Sequence, residues 1–192
     1  MALTTKLEAV NIMISVIGES PVNTLSGTSV PVTVTQAVHA LDETSKAIQS
    51  EGWHFNTEYD YPLVPDASTS KITLPLNTLK VDLDPEIYTD SDPVQRGTKL
   101  YDRKNHRETW TKDLKAIITF ELDFEELPEQ FRHYIAVKSA RIFAARFLGS
   151  REIEGFALRD EIEAKARAIE SDSENADRTI FDNYSVLRVL DR

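Results

Sequence analysis

The chain has 192 residues, long enough to bury a real core and close to the size of one domain, or of one domain carrying an insertion. Its 41% hydrophobic and 28% charged residues argue against disorder over most of the length. A formal charge of −10, from 32 acidic against 22 basic residues, argues against wrapping DNA through neutralised phosphates. With no cysteine there are no disulfides, thiolate metal sites or cysteine nucleophiles, which suits folding in a reducing cytoplasm.

Leu7, Val10, Ile14 and Ile17 recur at helical spacing, and Thr5 with Glu8 fits a capping box, so the chain is expected to open on a helix that Gly18 can end. The same stretch carries Lys6 and Glu8 and lacks the apolar block of a signal peptide. No later stretch is long enough to cross a bilayer, so no membrane insertion is expected. The turn-rich GESPVNTLSG leads to a second helical pattern in Ala37, Leu41, Thr44, Ser45 and Ile48, closing near Gly52. Trp53 and Phe55 then read as core anchors.

From about Thr57 the period changes to two. Tyr59, Tyr61 and Leu63 alternate with polar residues, as do Ile72, Leu74 and Leu76, then Leu79, Val81 and Leu83. The clearest strand is Ile118, Phe120, Leu122 and Phe124, with Thr119, Glu121 and Asp123 on its other face, which predicts a half-buried antiparallel sheet. Helix returns at Leu127-Pro128-Glu129, with Pro128 at the first helical position and Phe131, Ile135, Ile142 and Ala145 as the buried stripe up to Gly149. A fourth helix is expected from about Ile153 to Ser171, burying Leu158, Ile162 and Ile169. The polar SDSENADR and the apolar residues beyond it read as an arm.

The predicted fold is therefore α+β, a four-helix body with an antiparallel β insertion and a C-terminal arm. Residues 1–56 and 125–171 form the body, 57–124 the insertion and 172–192 the arm. No internal repeat or low-complexity tract interrupts this plan.

The four histidines, His39, His54, His106 and His133, are scattered without metal-site spacing, and no P-loop, G-x-G-x-x-G or G-x-S-x-G motif occurs. Neither a metal nor a cofactor is expected. Glu121 and Asp123 would share a strand face about 7 Å apart by strand rise, within the range of glycosidase acid pairs. Among 32 acids such a pair arises by chance, and two acids on one strand do not flank a bond from opposite sides; the same discount applies to Asp82 with Asp84. In LYDRKNHRETW, Arg103, Lys104 and Arg107 make a basic tip on an expected hairpin loop. It reads either as a solvated turn or as a contact for an acidic partner or passing DNA. Finally, Arg132, Lys138, Arg141 and Arg146 oppose only Glu129 between Pro128 and Leu148, a net of +3, whereas residues 152–174 carry a net of −5. The two helices can attract within a hairpin or across subunits.

The stretches NIMISVIGESPVNTL (Asn11 to Leu25), IQSEGWHFNTE (Ile48 to Glu58), GTKLYDR (Gly97 to Arg103) and LPEQFRHYIAVKSARIFAARFLGSREIEG (Leu127 to Gly155) together resemble tail tubular protein A of T7-like podoviruses. Their order and spacing match along nearly the full length. The resemblance implies a dodecameric ring bound above to the portal protein and below to the nozzle, the tail tubular protein B, with tail fibres attached near their junction. It places the chain in the virion tail, assembled in the bacterial host cytoplasm.

A closed ring needs complementary head-to-tail patches, for which Arg132, Lys138, Arg141, Arg146 and the arm residues Phe181, Tyr184 and Leu187 are candidates. Carboxylates facing the channel would repel phosphates and let double-stranded DNA pass without sticking. Three function classes follow, led by a structural connector, with a tail protein that also hydrolyses host surface polysaccharide through Glu121 and Asp123 as the alternative. A third, a nucleic-acid-binding module, would show salt-dependent DNA retention.

Overall fold

A computed structural model describes residues 3–27, 30–148 and 151–176. It is an α+β fold with four helices among the described residues, and contacts divide it into two compact units. One comprises Met1–Ser45 with Asp123–Arg192, the other Lys46–Leu122.

The first unit begins with α1 (Lys6–Val16), whose capping box forms as the sequence predicts. The Glu8 N–H donates to the Thr5 hydroxyl at 3.2 Å, and the Thr5 N–H to the Glu8 carboxylate at 2.8 Å. Gly18 takes φ +83°, a conformation side-chain-bearing residues avoid, and Glu19 N–H returns to the Ile14 carbonyl, which ends the helix. The turn that follows is tied back by Asn11, whose amide both donates to and accepts from the backbone of Val22. The Thr33 hydroxyl bonds Glu19 at 2.7 Å at the start of α2 (Val32–Gln49).

The unit's longer helices are α3 (Glu129–Leu148) and α4 (Arg151–Asn175). Its core gathers Val10, Met13, Ile14, Leu41, Phe131, Tyr134, Ile135 and Phe143, all buried. Each such large side chain contributes about 1.5 to 3 kcal/mol of apolar burial.

The helices depart from expectation in three places. On α3 the inner stripe continues through Phe143 and Ala144, while Ile142 is half-buried and Ala145 exposed, one residue out of the expected register. Among the described side chains of α4 the buried ones are Ala164, Ala168 and Asp172, whereas Leu158, Ile162 and Ile169 are 46%, 62% and 44% exposed. Hydrophobicity located the larger side chains but not the face that packs, which here admits small residues. The helix also runs past Ser171 to Asn175, so the polar run does not stop it. Gly149, the expected end of α3, lies outside the described residues.

The second unit holds a three-stranded antiparallel sheet of β1 (Thr57–Leu63), β2 (Thr78–Leu83) and β5 (Leu114–Phe120) in the order β1-β5-β2. Beside it lies a hairpin of β3 (Pro93–Arg96) and β4 (Lys99–Asp102), turned at Gly97 with φ +62°. β1 carries a bulge between Glu58 and Tyr61, with Asp60 at φ 56°. The core packs Ile72, Leu74, Leu83, Leu100, Trp110, Leu114 and Ile118. Ile72 and Leu74 point inward as expected, but their segment makes only isolated bridges, and Leu76, read as inward, is 92% exposed at a turn. β5 ends at Phe120 rather than Phe124, and as the central strand it buries Thr119 as well as Ile118.

Candidate functional site

The β3–β4 hairpin is organised by one buried carboxylate. Asp102 is 0% exposed, yet it accepts from the backbone N–H groups of Asp92, Lys104 and Asn105 at 3.1 to 3.2 Å and from the Asn105 side-chain amide at 2.7 Å. Arg107 Nε stands 3.6 Å away. Burial pulls its pKa upward, but the Asn105 side chain, the backbone donors and the Arg107 charge together outweigh it and hold the carboxyl below its ordinary value. The turn that brings these donors round places His106 at φ 53°, and the chain returns through an Asp102–Arg107 bridge.

Each cation of the basic tip therefore has an acceptor in its own chain. Arg103 Nε donates to Asp92 at 2.8 Å, Lys104 Nζ to the Thr89 carbonyl at 2.8 Å, and Arg107 faces Asp102. Together with Asn105, whose amide donates to the Asp90 carbonyl at 2.8 Å, they tie the loop of residues 84–92 to the hairpin. The Arg103 side chain is nevertheless 69% exposed and the Arg107 side chain 47%.

In the helical unit the four cations of α3 differ in their work. Arg132 is 4% exposed and donates to the carbonyls of Leu127 at 2.7 Å, Thr4 at 3.0 Å and Glu125. The Thr4 N–H meets the Glu129 carboxylate at 2.8 Å, so Glu129 and Arg132 pin the N-terminal segment to the start of α3. That explains the LPEQFR stretch, and it engages the Arg132 guanidinium inside its own unit. Lys138 Nζ lies 5.5 Å from the Tyr134 ring centroid. Arg141 pairs with Glu161 of α4, so the +3 and −5 charge contrast is used at this point within the α3–α4 hairpin. Arg146 lies 3.4 Å from Glu43 with both side chains more than half exposed.

Glu121 and Asp123 do not share a strand face, because β5 has ended. Glu121 lies 3.2 Å from Lys46 Nζ, whereas Asp123 heads the short turn Phe124–Glu126 and belongs to the other unit. Phe181, Tyr184 and Leu187 lie outside the described residues. Among the described residues no group of three or more His, Cys, Asp or Glu is placed to hold a metal, and no helix is long and apolar enough to cross a membrane.

Two residues that the sequence reading passed over brace the sheet. Gln49 donates to the Leu122 carbonyl at 3.0 Å and accepts from its N–H at 2.8 Å. Asn56, 2% exposed, donates to the carbonyls of Gln49 and Phe120, each at 2.9 Å, and accepts from Trp53 N–H at 2.9 Å. The signal was present in the QSEGWHFN spacing, which sets one amide at a helix end and another at a strand start. It becomes readable only when one asks what satisfies the backbone there. Trp53 itself is half-buried, its indole N–H donating to the Ile48 carbonyl at 2.7 Å.

A search of the curated proteins returns no match. The family model for the tail tubular protein matches residues 7–178, a span that opens in α1, takes in both units and passes the end of α4. With so much of its length matched, the chain belongs to the tail tubular protein family and is a structural protein of a phage tail.

Proposed function

We propose that this tail protein is the adaptor subunit that closes into a ring around the DNA channel, between the portal protein and the tail nozzle, with tail fibres attached nearby. The observation that carries the reading is the outward face of α4, where Leu158, Ile162 and Ile169 recur at helical spacing and are 46%, 62% and 44% exposed. A subunit that buries alanines on its own side of a helix and presents larger apolar residues outward is suited to packing against a neighbour. Head-to-tail contact needs a second, different patch, and Ile12, Val16 and Val32 supply further exposed apolar residues. Arg146 and Glu43, exposed and paired at 3.4 Å, can exchange partners across such a contact, with Lys138 a further candidate. The acidic balance of −10 favours a bore that does not hold phosphate, while the exposed Arg103 and Lys104 can touch passing DNA only weakly.

The test is the mass of the purified protein, alone and mixed with portal protein. A ring-sized species is expected on mixing, and Ile162→Glu, at an exposed position, should weaken its formation by about tenfold or more while leaving the subunit folded. Absence of both self-association and portal binding would refute the adaptor reading. The second reading, hydrolysis of host surface polysaccharide through Glu121 and Asp123, is tested by a glycan assay on the purified protein with Glu121→Gln and Asp123→Asn as controls; the end of β5 at Phe120 speaks against the shared strand face it invokes.

A further inference from the structure

Beside the β3–β4 hairpin a cleft of about 280 Å³ opens between the loop of residues 87–91 and the segment from Arg107 to Leu114. Its floor is apolar, formed by Trp110 and Leu114, which are 4% and 2% exposed. Its lining carries two cations, Arg107, whose Nε stands 3.6 Å from Asp102, and Lys112, whose Nζ lies 5.5 Å from the Tyr88 ring centroid, against Asp90 as the acid lining the cleft. Among the described residues Lys112 has no acidic partner within ion-pair distance, and Ile87 at the mouth is 63% exposed.

The walls are fixed before anything binds. Asp92, Asp90 and Thr89 are held by Asp102, Asn105 and Lys104 respectively, and the Tyr88 hydroxyl accepts the Lys115 N–H at 2.9 Å. A cleft already ordered in this way loses little entropy on binding.

We propose that this cleft binds a carboxylate-bearing peptide segment of a partner protein, an acidic side chain seated between Lys112 and Arg107 with an apolar neighbour against Ile87 and the Trp110 floor. The chemistry selects this class over two others. A sugar needs an open aromatic face, but Trp110 is buried with its indole N–H on the Leu100 carbonyl at 3.1 Å, and the Lys112 ammonium covers Tyr88. A nucleic-acid backbone would bring phosphates past Asp90 onto a subunit of net charge −10. A single carboxylate is small enough to enter, and charge-assisted bonds to two cations give it direction. The proposal adds a contact to the tail-protein reading and does not depend on ring closure.

The experiment is a nuclear magnetic resonance titration of the isotope-labelled full chain with the peptide acetyl-Glu-Leu-Glu-amide, and with its Gln-Leu-Gln counterpart. Saturable shifts are expected at the Trp110 indole N–H and at amides of residues 87–91 and 107–112. Binding should fall about tenfold for the Gln peptide and for Lys112→Glu. Lys80→Glu, at an exposed position outside the cleft, should leave it unchanged. Equal response to both peptides, shifts confined to other regions, or no response would each overturn the proposal. So would a maltooligosaccharide or short DNA duplex that shifted the same amides as strongly. Ring formation is read separately by mass, so loss of peptide binding with intact assembly strikes the cleft alone, and the converse strikes the adaptor reading alone.

Discussion

Replacing Asn56 by alanine would remove three hydrogen bonds at once, leaving the Phe120 carbonyl and the Trp53 N–H without this partner, while the Gln49 carbonyl keeps the Gly52 N–H at 3.1 Å. A buried group left without a partner costs about 1 to 3 kcal/mol, so Asn56→Ala should lose about 3 kcal/mol or more, read as a lower denaturant midpoint with unchanged slope. Trp53→Ala should cost less, about 2 kcal/mol, because its ring is half-buried and falls short of the full cavity penalty. A larger loss from Trp53 than from Asn56 would show that the ring, not the amide, secures the segment before β1. Asp102 gives a pH prediction of definite sign. Its carboxyl is held low in the folded chain, as is that of Asp66, kept at about 2 chiefly by the Ser68 hydroxyl and by the Thr69 N–H. A depressed folded pKa means stability that is fully present above the unfolded value, about 3.9, and lost as pH falls through the folded one. Asp102→Asn should lower stability at neutral pH, since an amide cannot accept all those donors, and should flatten the decline below about pH 4. An acid limb of unchanged slope in that variant would assign the sensitivity to other carboxylates.

Among the elements, the α3–α4 hairpin offers the sharpest test of charge. Arg141→Glu sets a carboxylate against Glu161 at a partly buried contact and should cost about 1 to 2 kcal/mol, with the double exchange Arg141→Glu, Glu161→Arg recovering most of it. If the double exchange is no more stable than the single, the pair contributes nothing specific. The same elements show where sequence is legible. The capping box at Thr5 and Glu8, the stop at Gly18 and the alternation of Val81 and Leu83 are local rules, and the structure obeys them. What failed depends on neighbours that no local pattern names. On α4 side-chain size points to Leu158, Ile162 and Ile169, but the buried face takes Ala164 and Ala168. The end of β5 was assigned by alternation that continues through Leu122 and Phe124, but Asn77 and Gln49 take over the backbone groups there. The basic tip was legible as a cluster, though not its internal acceptors, because Asp92, Thr89 and Asp102 are brought to it only by the fold.

At the scale of the whole molecule, the charge of −10 and the proposed ring make opposite demands on salt. Repulsion between acidic subunits relaxes as salt rises, whereas contacts through pairs such as Arg146 and Glu43 weaken. If apolar packing at α4 dominates, ring yield should hold or improve with salt while Arg146→Glu has little effect; a steep loss with salt would assign assembly to charge instead. Truncation after Asn175 removes Phe181, Tyr184 and Leu187, and is expected to leave the subunit folded while weakening stable assembly, measured by the same mass analysis. The alanine-lined inner face of α4 has a thermodynamic consequence. Ala164, Ala168 and the Arg141–Glu161 pair hold the middle of this helix to its own unit, while three larger side chains are exposed, so apolar area that could stabilise it is realised only when another molecule covers them. Stability then becomes a property of concentration: the melting temperature should climb as the protein is concentrated, and amides of α4 should be the first to gain protection from hydrogen exchange.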